Sequence, residues 1–184
     1  MIKRQRTTTF TEAGNHPADF LVLSHYRSQH SLGALLTDVI RGMEERLIQA
    51  GATLFIKDDL PLLEVNAAQL QQVVRNIFSW ILDHAAARPS PVIHIDCQLI
   101  PTLESIDDAV AMICISGNVS PGRGIRRWLN KWFPDKWKAS LAANNSLGIC
   151  QKIAGFNDWP FEIRKQKKGM QFLLAIPFLR RRDE

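Results

Sequence analysis

The sequence lacks any run of 18 or more apolar residues, so it predicts no helix that crosses a membrane. Only three of its 184 residues are cysteines, and neither they nor the five histidines show the spacing of a metal site. An odd number of cysteines favours free thiols in a reducing compartment over a disulfide framework. The basic N-terminal stretch lacks the apolar segment that a secretory signal carries. These absences predict a cytoplasmic protein without a resident metal ion.

The composition is that of a globular domain. Apolar residues make up 46% of the chain and charged residues 22%, which suits one domain with a full hydrophobic core. We expect a flexible basic arm over residues 1–18, the folded domain over 19–179 and a charged tail over 180–184. The net charge of +5 permits an acidic partner but does not identify one.

The longest periodic stretch, residues 67–87, predicts a central helix. Its apolar residues recur at intervals of three and four, and no glycine or proline interrupts them. Asn76 lies at the edge of the apolar stripe, where an asparagine is most often a surface or capping group. The predicted buried face consists of Leu70, Val73, Val74, Ile77, Phe78, Ile81, Leu82 and Ala85.

Alternation, caps and turn residues predict the other elements. Helices are expected at 31–50, 125–133 and 140–154, and the stretch 62–65 leads into the central helix. Strands are expected at 19–26, 52–57, 92–100 and 109–116, with a closing hairpin at 159–166 and 170–178. This order predicts an α/β fold, a two-layer sandwich in which helices cover one face of a mixed sheet.

The segment 65–79, VNAAQLQQVVRNIFS, resembles the N-box helix of the histidine-kinase/Hsp90-type (GHKL) ATP-binding domain. In that resemblance Asn76 falls on the first asparagine of the box. Trp80 falls on the second asparagine, which in the family holds the Mg²⁺ ion bound to ATP, and Asp83 falls on a lysine. The order of elements also resembles the Bergerat fold of this family, and the resemblance covers residues 20–177.

The other boxes of the family are altered in the same way. Gly117 stands where the family has the aspartate that accepts a hydrogen bond from adenine. Asn144 and Ser146 stand at the two glycine positions of the phosphate-binding turn, and the residues that follow, from Leu147 through Gly148 to Ile153, match the helix of that turn. Loss of the adenine carboxylate leaves a donor of the base unpaired, at a cost of about 1–3 kcal/mol.

The resemblance therefore implies a regulatory, protein-binding module in signal transduction that has lost most ATP- and Mg²⁺-binding residues. No catalytic residue and no cofactor are predicted, and ATP with Mg²⁺ is disfavoured. The alternative is an ATP sensor, or a divergent histidine kinase or ATPase with an altered site. In that case the nucleotide would be held by Asn76, Asn144, Ser146 and Gly148.

The segment 123–138 is unusually basic and aromatic, with six Lys or Arg residues, three tryptophans and one acid. Such a helix could simply pack its aromatic face on the core and expose its cations to water. Trp and Arg are also the residues that most often anchor protein interfaces. A partner could then be a signalling kinase, a response regulator or a transcription factor. Nucleic acid is less favoured because no nucleic-acid-binding motif is present. The predicted partner-binding residues are Arg123, Arg127, Trp128, Lys131 and Trp132.

Overall fold

The computed structural model describes residues 8–10, 21–23, 25–85, 90–101, 108–119 and 146–179. Four helices lie in these ranges: α1 (Leu32–Gly42), α2 (Glu44–Gln49), α3 (Ala67–His84) and α4 (Ser146–Phe156). The strands are β1 (Thr8–Phe10), β2 (Leu21–Leu23), β3 (Ser28–Ser31), β4 (Thr53–Ile56), β5 (Leu62–Val65), β6 (Val92–Pro101), β7 (Asp108–Gly117), β8 (Phe161–Gln166) and β9 (Gly169–Leu179).

Five strands form the main sheet in the order β4-β6-β7-β9-β8. β4 pairs with β6 in parallel, and the other neighbours are antiparallel. The predicted mixed α/β sheet is therefore confirmed. Its two edge strands differ, because β8 carries the charged residues Glu162, Arg164 and Lys165, whereas β4 exposes Phe55 and Ile56.

Helix α3 packs against the sheet and against other helices of the domain. Its N-cap is Asn66, whose side-chain oxygen accepts a hydrogen bond from the Gln69 N–H at 3.1 Å. The apolar face predicted from the spacing is buried from Leu70 to Ile81, whereas Leu82 and Ala85 are only half-buried, and α3 packs against both α1 and α4. Within the described residues, no helix combines the length and apolar character needed to span a membrane.

The helix predicted over residues 31–50 is interrupted at Met43, which corrects that prediction. Ser31 caps α1 as expected, but Met43 leaves the helical conformation with φ −120° and ψ 7°. Gly42 before it is a poor helix former, and Met43 is buried in the core. On either side of this break, both α1 and α2 keep apolar residues in the core. α2 ends before Gly51, whose φ is +61°.

The predicted strand at 19–26 is also corrected. β2 spans only Leu21–Leu23 and pairs with β1, which lies within the expected arm. A separate strand, β3, pairs antiparallel with β5, so the stretch 62–65 is a strand in its own right. The helix predicted at 140–154 is observed as α4 within the described residues and extends to Phe156. The helix predicted at 125–133 lies outside them.

The three cysteines are free, as expected. Cys97 and Cys150 are buried, but Cys114 is only half-buried, because it lies on the face of β7 that the helices do not cover. There its Sγ accepts a hydrogen bond from Gln171 Nε2 at 2.9 Å. No cluster of metal-ligating side chains occurs among the residues that the structure describes.

Candidate functional site

Asn76 is half-buried on α3 and faces α4. Its Nδ2 atom is shielded from solvent, and no hydrogen-bond partner for it occurs among the described residues. Cys150 of α4 is fully buried, and its Sγ lies 3.5 Å from the Val73 carbonyl oxygen. Burial raises the pKa of the Cys150 thiol, and the nearby Asn76 amide acts in the opposite direction. Asn76 is thus an interhelical residue and not a surface group.

Trp80, which the sequence resemblance predicts to replace a magnesium-binding asparagine, is packed into the domain with 7% of its surface exposed. Its ring meets the Phe172 ring edge-on, with centroids 5.4 Å apart, and stacks on the His84 ring at 4.3 Å. His84 Nδ1 also lies 2.8 Å from the Trp80 carbonyl oxygen. An indole offers only an N–H donor, whereas Mg²⁺ requires oxygen ligands.

Gly117, which the sequence resemblance predicts to replace an adenine-binding aspartate, ends β7 directly beneath Ile81 of α3. A Cβ atom added at residue 117 would lie 3.0 Å from Ile81 Cγ2 and 3.2 Å from Ile81 Cδ1. Those distances are shorter than ordinary van der Waals contact. A side chain at this position would therefore press against Ile81, which would have to shift by a few tenths of an ångström.

The start of α4 carries two of the residues expected at the phosphate turn. Ser146 is the first residue of the helix and is half-buried, and Gly148, two residues later, is buried. Asn144 lies outside the described residues, as do all five predicted partner-binding residues, Arg123, Arg127, Trp128, Lys131 and Trp132. The structure therefore places Asn76 and Gly148 on two helices that pack against each other. The binding roles predicted for all of these residues stay predictions.

The turn between β8 and β9 forms a feature that the sequence did not single out. Lys165, Lys167 and Lys168 line a cavity of about 220 Å³ together with Asn118, Val119, Gln166 and Gly169. We call it the hairpin cavity. From the sequence alone, the run Lys167-Lys168-Gly169 predicts only a hairpin turn. Its closeness to the end of β7 comes from the pairing of β7 with β9, which no local pattern reveals.

The fold resembles solved structures of histidine kinases. The catalytic domain of histidine kinase ThkA, in a nucleotide-free form, matches with a TM-score of 0.61 at 16% identity, covering 82% of this chain and 95% of that one. Histidine kinase AdeS of Acinetobacter baumannii matches at 0.58 and 13% identity, over 84% and 68%. A mycobacterial sensor histidine kinase, MprB, matches at 0.56 and 10% identity, over 82% and 97%.

No protein-family model matches the sequence, and no curated protein matches it either. Sequence identities this low carry the fold and not the chemistry of the site. The order of strands and helices, the sheet and the structural matches agree, and the chain has the fold of histidine kinase catalytic, ATP-binding domains.

Proposed function

We propose that this chain is a regulatory module in two-component-type signalling that uses a histidine kinase ATP-binding fold to bind a protein partner, without holding Mg²⁺ and ATP. The observation that carries the proposal is the contact between Gly117 and Ile81. In the family resemblance, residue 117 supplies the adenine-binding carboxylate. Here residue 117 is a glycine crowded by Ile81, so the amino group of adenine has no side-chain acceptor at this position.

Trp80, at the predicted Mg²⁺-binding position, supports the same proposal. Its indole ring is held between Phe172 and His84, so it cannot swing away without breaking both contacts. It offers no oxygen to a metal ion and takes the position of the residue that would. Without a bound cation, the charge of a triphosphate has nothing to neutralise it at the N-box.

Partner binding is supported by the composition of the segment 123–138, in which Trp and Arg are concentrated. Fully desolvated Trp and Arg side chains account for much of the binding energy of protein interfaces. The docking residues would be Arg123, Arg127, Trp128, Lys131 and Trp132. A signalling kinase, a response regulator or a transcription factor would be the partner, in keeping with the signalling role of the proteins that share the fold.

The second candidate is a nucleotide sensor with an altered site. The buried Nδ2 atom of Asn76, for which the described residues supply no acceptor, favours it. A nucleotide oxygen or ring nitrogen could take this hydrogen bond. Gly148 and Ser146 at the start of α4 would then lie on the other side of the ligand.

Thermal unfolding with ATP separates the two candidates. A ligand present at ten times its Kd and bound only to the folded state raises stability by about 1.4 kcal/mol. We expect no Mg²⁺-dependent rise at millimolar ATP. A rise that needs Mg²⁺ and is lost in Asn76→Ala would overturn the proposal in favour of the sensor.

The docking residues are tested by partner capture. Trp128→Ala combined with Trp132→Ala should abolish capture of a partner that the unaltered chain retains. Trp137→Ala is the matched control, since it removes a tryptophan from the same segment outside the proposed face. Capture that is unchanged by the double substitution would reject this docking face.

A further inference from the structure

The hairpin cavity is a concentrated source of positive charge. Lys165, Lys167 and Lys168 all line it, and all three are exposed. No ion pair from these lysines to a described carboxylate occurs. The only acid of β8, Glu162, accepts two hydrogen bonds from Arg164, at 2.8 and 2.7 Å. Three like charges within four residues repel one another, and a bound anion would relieve that repulsion.

The backbone around the hairpin cavity is fixed from two sides. Gly169 has φ +152°, and a Cβ atom there would overlap the Gly117 carbonyl oxygen, so only glycine lets the turn lie this close to β7. On the other side, Asn118 Oδ1 accepts from the Val92 N–H at 2.7 Å. Asn118 Nδ2 donates to the Ser90 carbonyl oxygen at 3.0 Å. Gly169 in the turn that carries the lysines and Asn118 in the cavity lining thus both lie at the C-terminal end of β7.

We propose that the hairpin cavity binds a phosphate group. A phosphate monoester carries about −1.5 to −2 charges at neutral pH, which suits three lysines better than a single carboxylate does. Lysine is a point-charge donor that binds phosphate without the planar geometry that arginine imposes. The cavity volume of about 220 Å³ leaves room for one such group and part of the molecule that carries it. This inference goes beyond the proposed function, because the site involves neither an adenine pocket nor Mg²⁺.

The test is a titration of the isotope-labelled chain with sodium pyrophosphate in the absence of Mg²⁺, followed by amide NMR shifts. We expect saturable shifts centred on Asn118, Val119 and residues 165–169. The triple substitution Lys165→Gln, Lys167→Gln and Lys168→Gln should weaken binding at least about tenfold, since it removes every cation among the described residues that line the cavity.

A second triple variant is the matched control, with the same loss of net charge. It replaces three exposed cations outside the cavity lining, Arg41, Arg75 and Lys152, by glutamine. Binding in this variant should stay within about twofold of the unaltered chain at 0.15 M salt, where the field of distant charges is largely screened.

Equal weakening in the two triple variants, or shifts that do not saturate, would show only a general attraction of anions and would overturn the inference. The shift map of the unaltered chain decides the matter even if a variant fails to fold. Parallel titrations with inorganic phosphate and O-phosphoserine then distinguish a free ion from a phosphate ester. Failure here leaves the proposed function intact, because that proposal depends on Gly117 and Trp80.

Discussion

The contact between Gly117 and Ile81 can be measured by a double-mutant cycle. Gly117→Ala adds a Cβ atom 3.0 Å from Ile81 Cγ2. Overpacking of this kind costs about 1–3 kcal/mol. Alanine in a strand recovers about 0.5–1 kcal/mol of backbone entropy relative to glycine. We therefore expect Gly117→Ala alone to lower the free energy of unfolding by up to about 2.5 kcal/mol.

Ile81→Ala supplies the second arm of the cycle. Ile81 is fully buried, so its truncation should cost about 2–5 kcal/mol. In the double variant the new methyl group enters the space that Ile81 has left, and Gly117→Ala becomes neutral or stabilising there. The two substitutions should thus be coupled by about 1–2 kcal/mol, with the double variant more stable than additivity predicts.

Urea unfolding of the four proteins, with one common slope against denaturant, gives the coupling energy. Ile77→Ala with Gly117→Ala is the control pair, because Ile77 is equally buried on α3 but is not among the atoms nearest to the added Cβ. Coupling below about 0.5 kcal/mol in the Ile81 pair would refute the reasoning, since residues without contact behave additively within that margin. It would also show that Ile81 does not crowd residue 117.

Three further outcomes follow from the same structure. Trp80→Ala should lower the free energy of unfolding by about 3–5 kcal/mol in urea, because it empties a buried space against Phe172. Asn157→Ala should cost about 1–3 kcal/mol in the same assay, because Asn157 Nδ2 donates to Gln69 Oε1 at 2.8 Å in the core and that oxygen loses this donor. Burial raises the pKa of the Cys97 thiol from 9.0 to about 11, so the folded state resists its ionisation. Stability from this thiol is complete below pH 9 and should fall by about 2 kcal/mol as the pH rises toward 11.

Each of these outcomes has its own check. His84→Ala should cost less than Trp80→Ala, since it removes a stacked neighbour and leaves the buried indole in place. Cys97→Val should flatten the alkaline loss of stability, and an unchanged pH profile would contradict the assignment. Stability unaffected by Asn157→Ala would mean that water satisfies Gln69 in its place.

The sequence predicted those helices and strands in which the apolar residues themselves recur at a regular spacing. α3 was predicted from the spacing of its apolar residues, and β6 and β7 from their alternation and apolar run. The break at Met43 was not predicted, because apolar spacing continues through α1 and α2 and hides the interruption. Pairing of β3 with β5 also escaped prediction, since it joins short strands 31 or more residues apart.

For the candidate site, the sequence predicted only which residue types occupy the positions of the family's binding residues. The resemblance identified Trp80 and Gly117 as changed positions, but it could not say what surrounds them. Phe172 lies on β9, far from Trp80 in sequence, and reaches it only because the sheet closes against α3. The cavity at the β8–β9 turn depends likewise on the pairing of β7 with β9, and not on any motif.

The unequal edges of the main sheet have a consequence for how the protein behaves at high concentration. β8 ends the sheet with alternating charges, which discourage another chain from adding a strand there. β4, at the other edge of the sheet, exposes Phe55 and Ile56, which are 52% and 40% exposed. A strand from another chain that pairs with β4 would therefore meet apolar, uncharged side chains. Unwanted intermolecular sheet growth should therefore begin at β4, and a single lysine in place of Phe55 should suppress it.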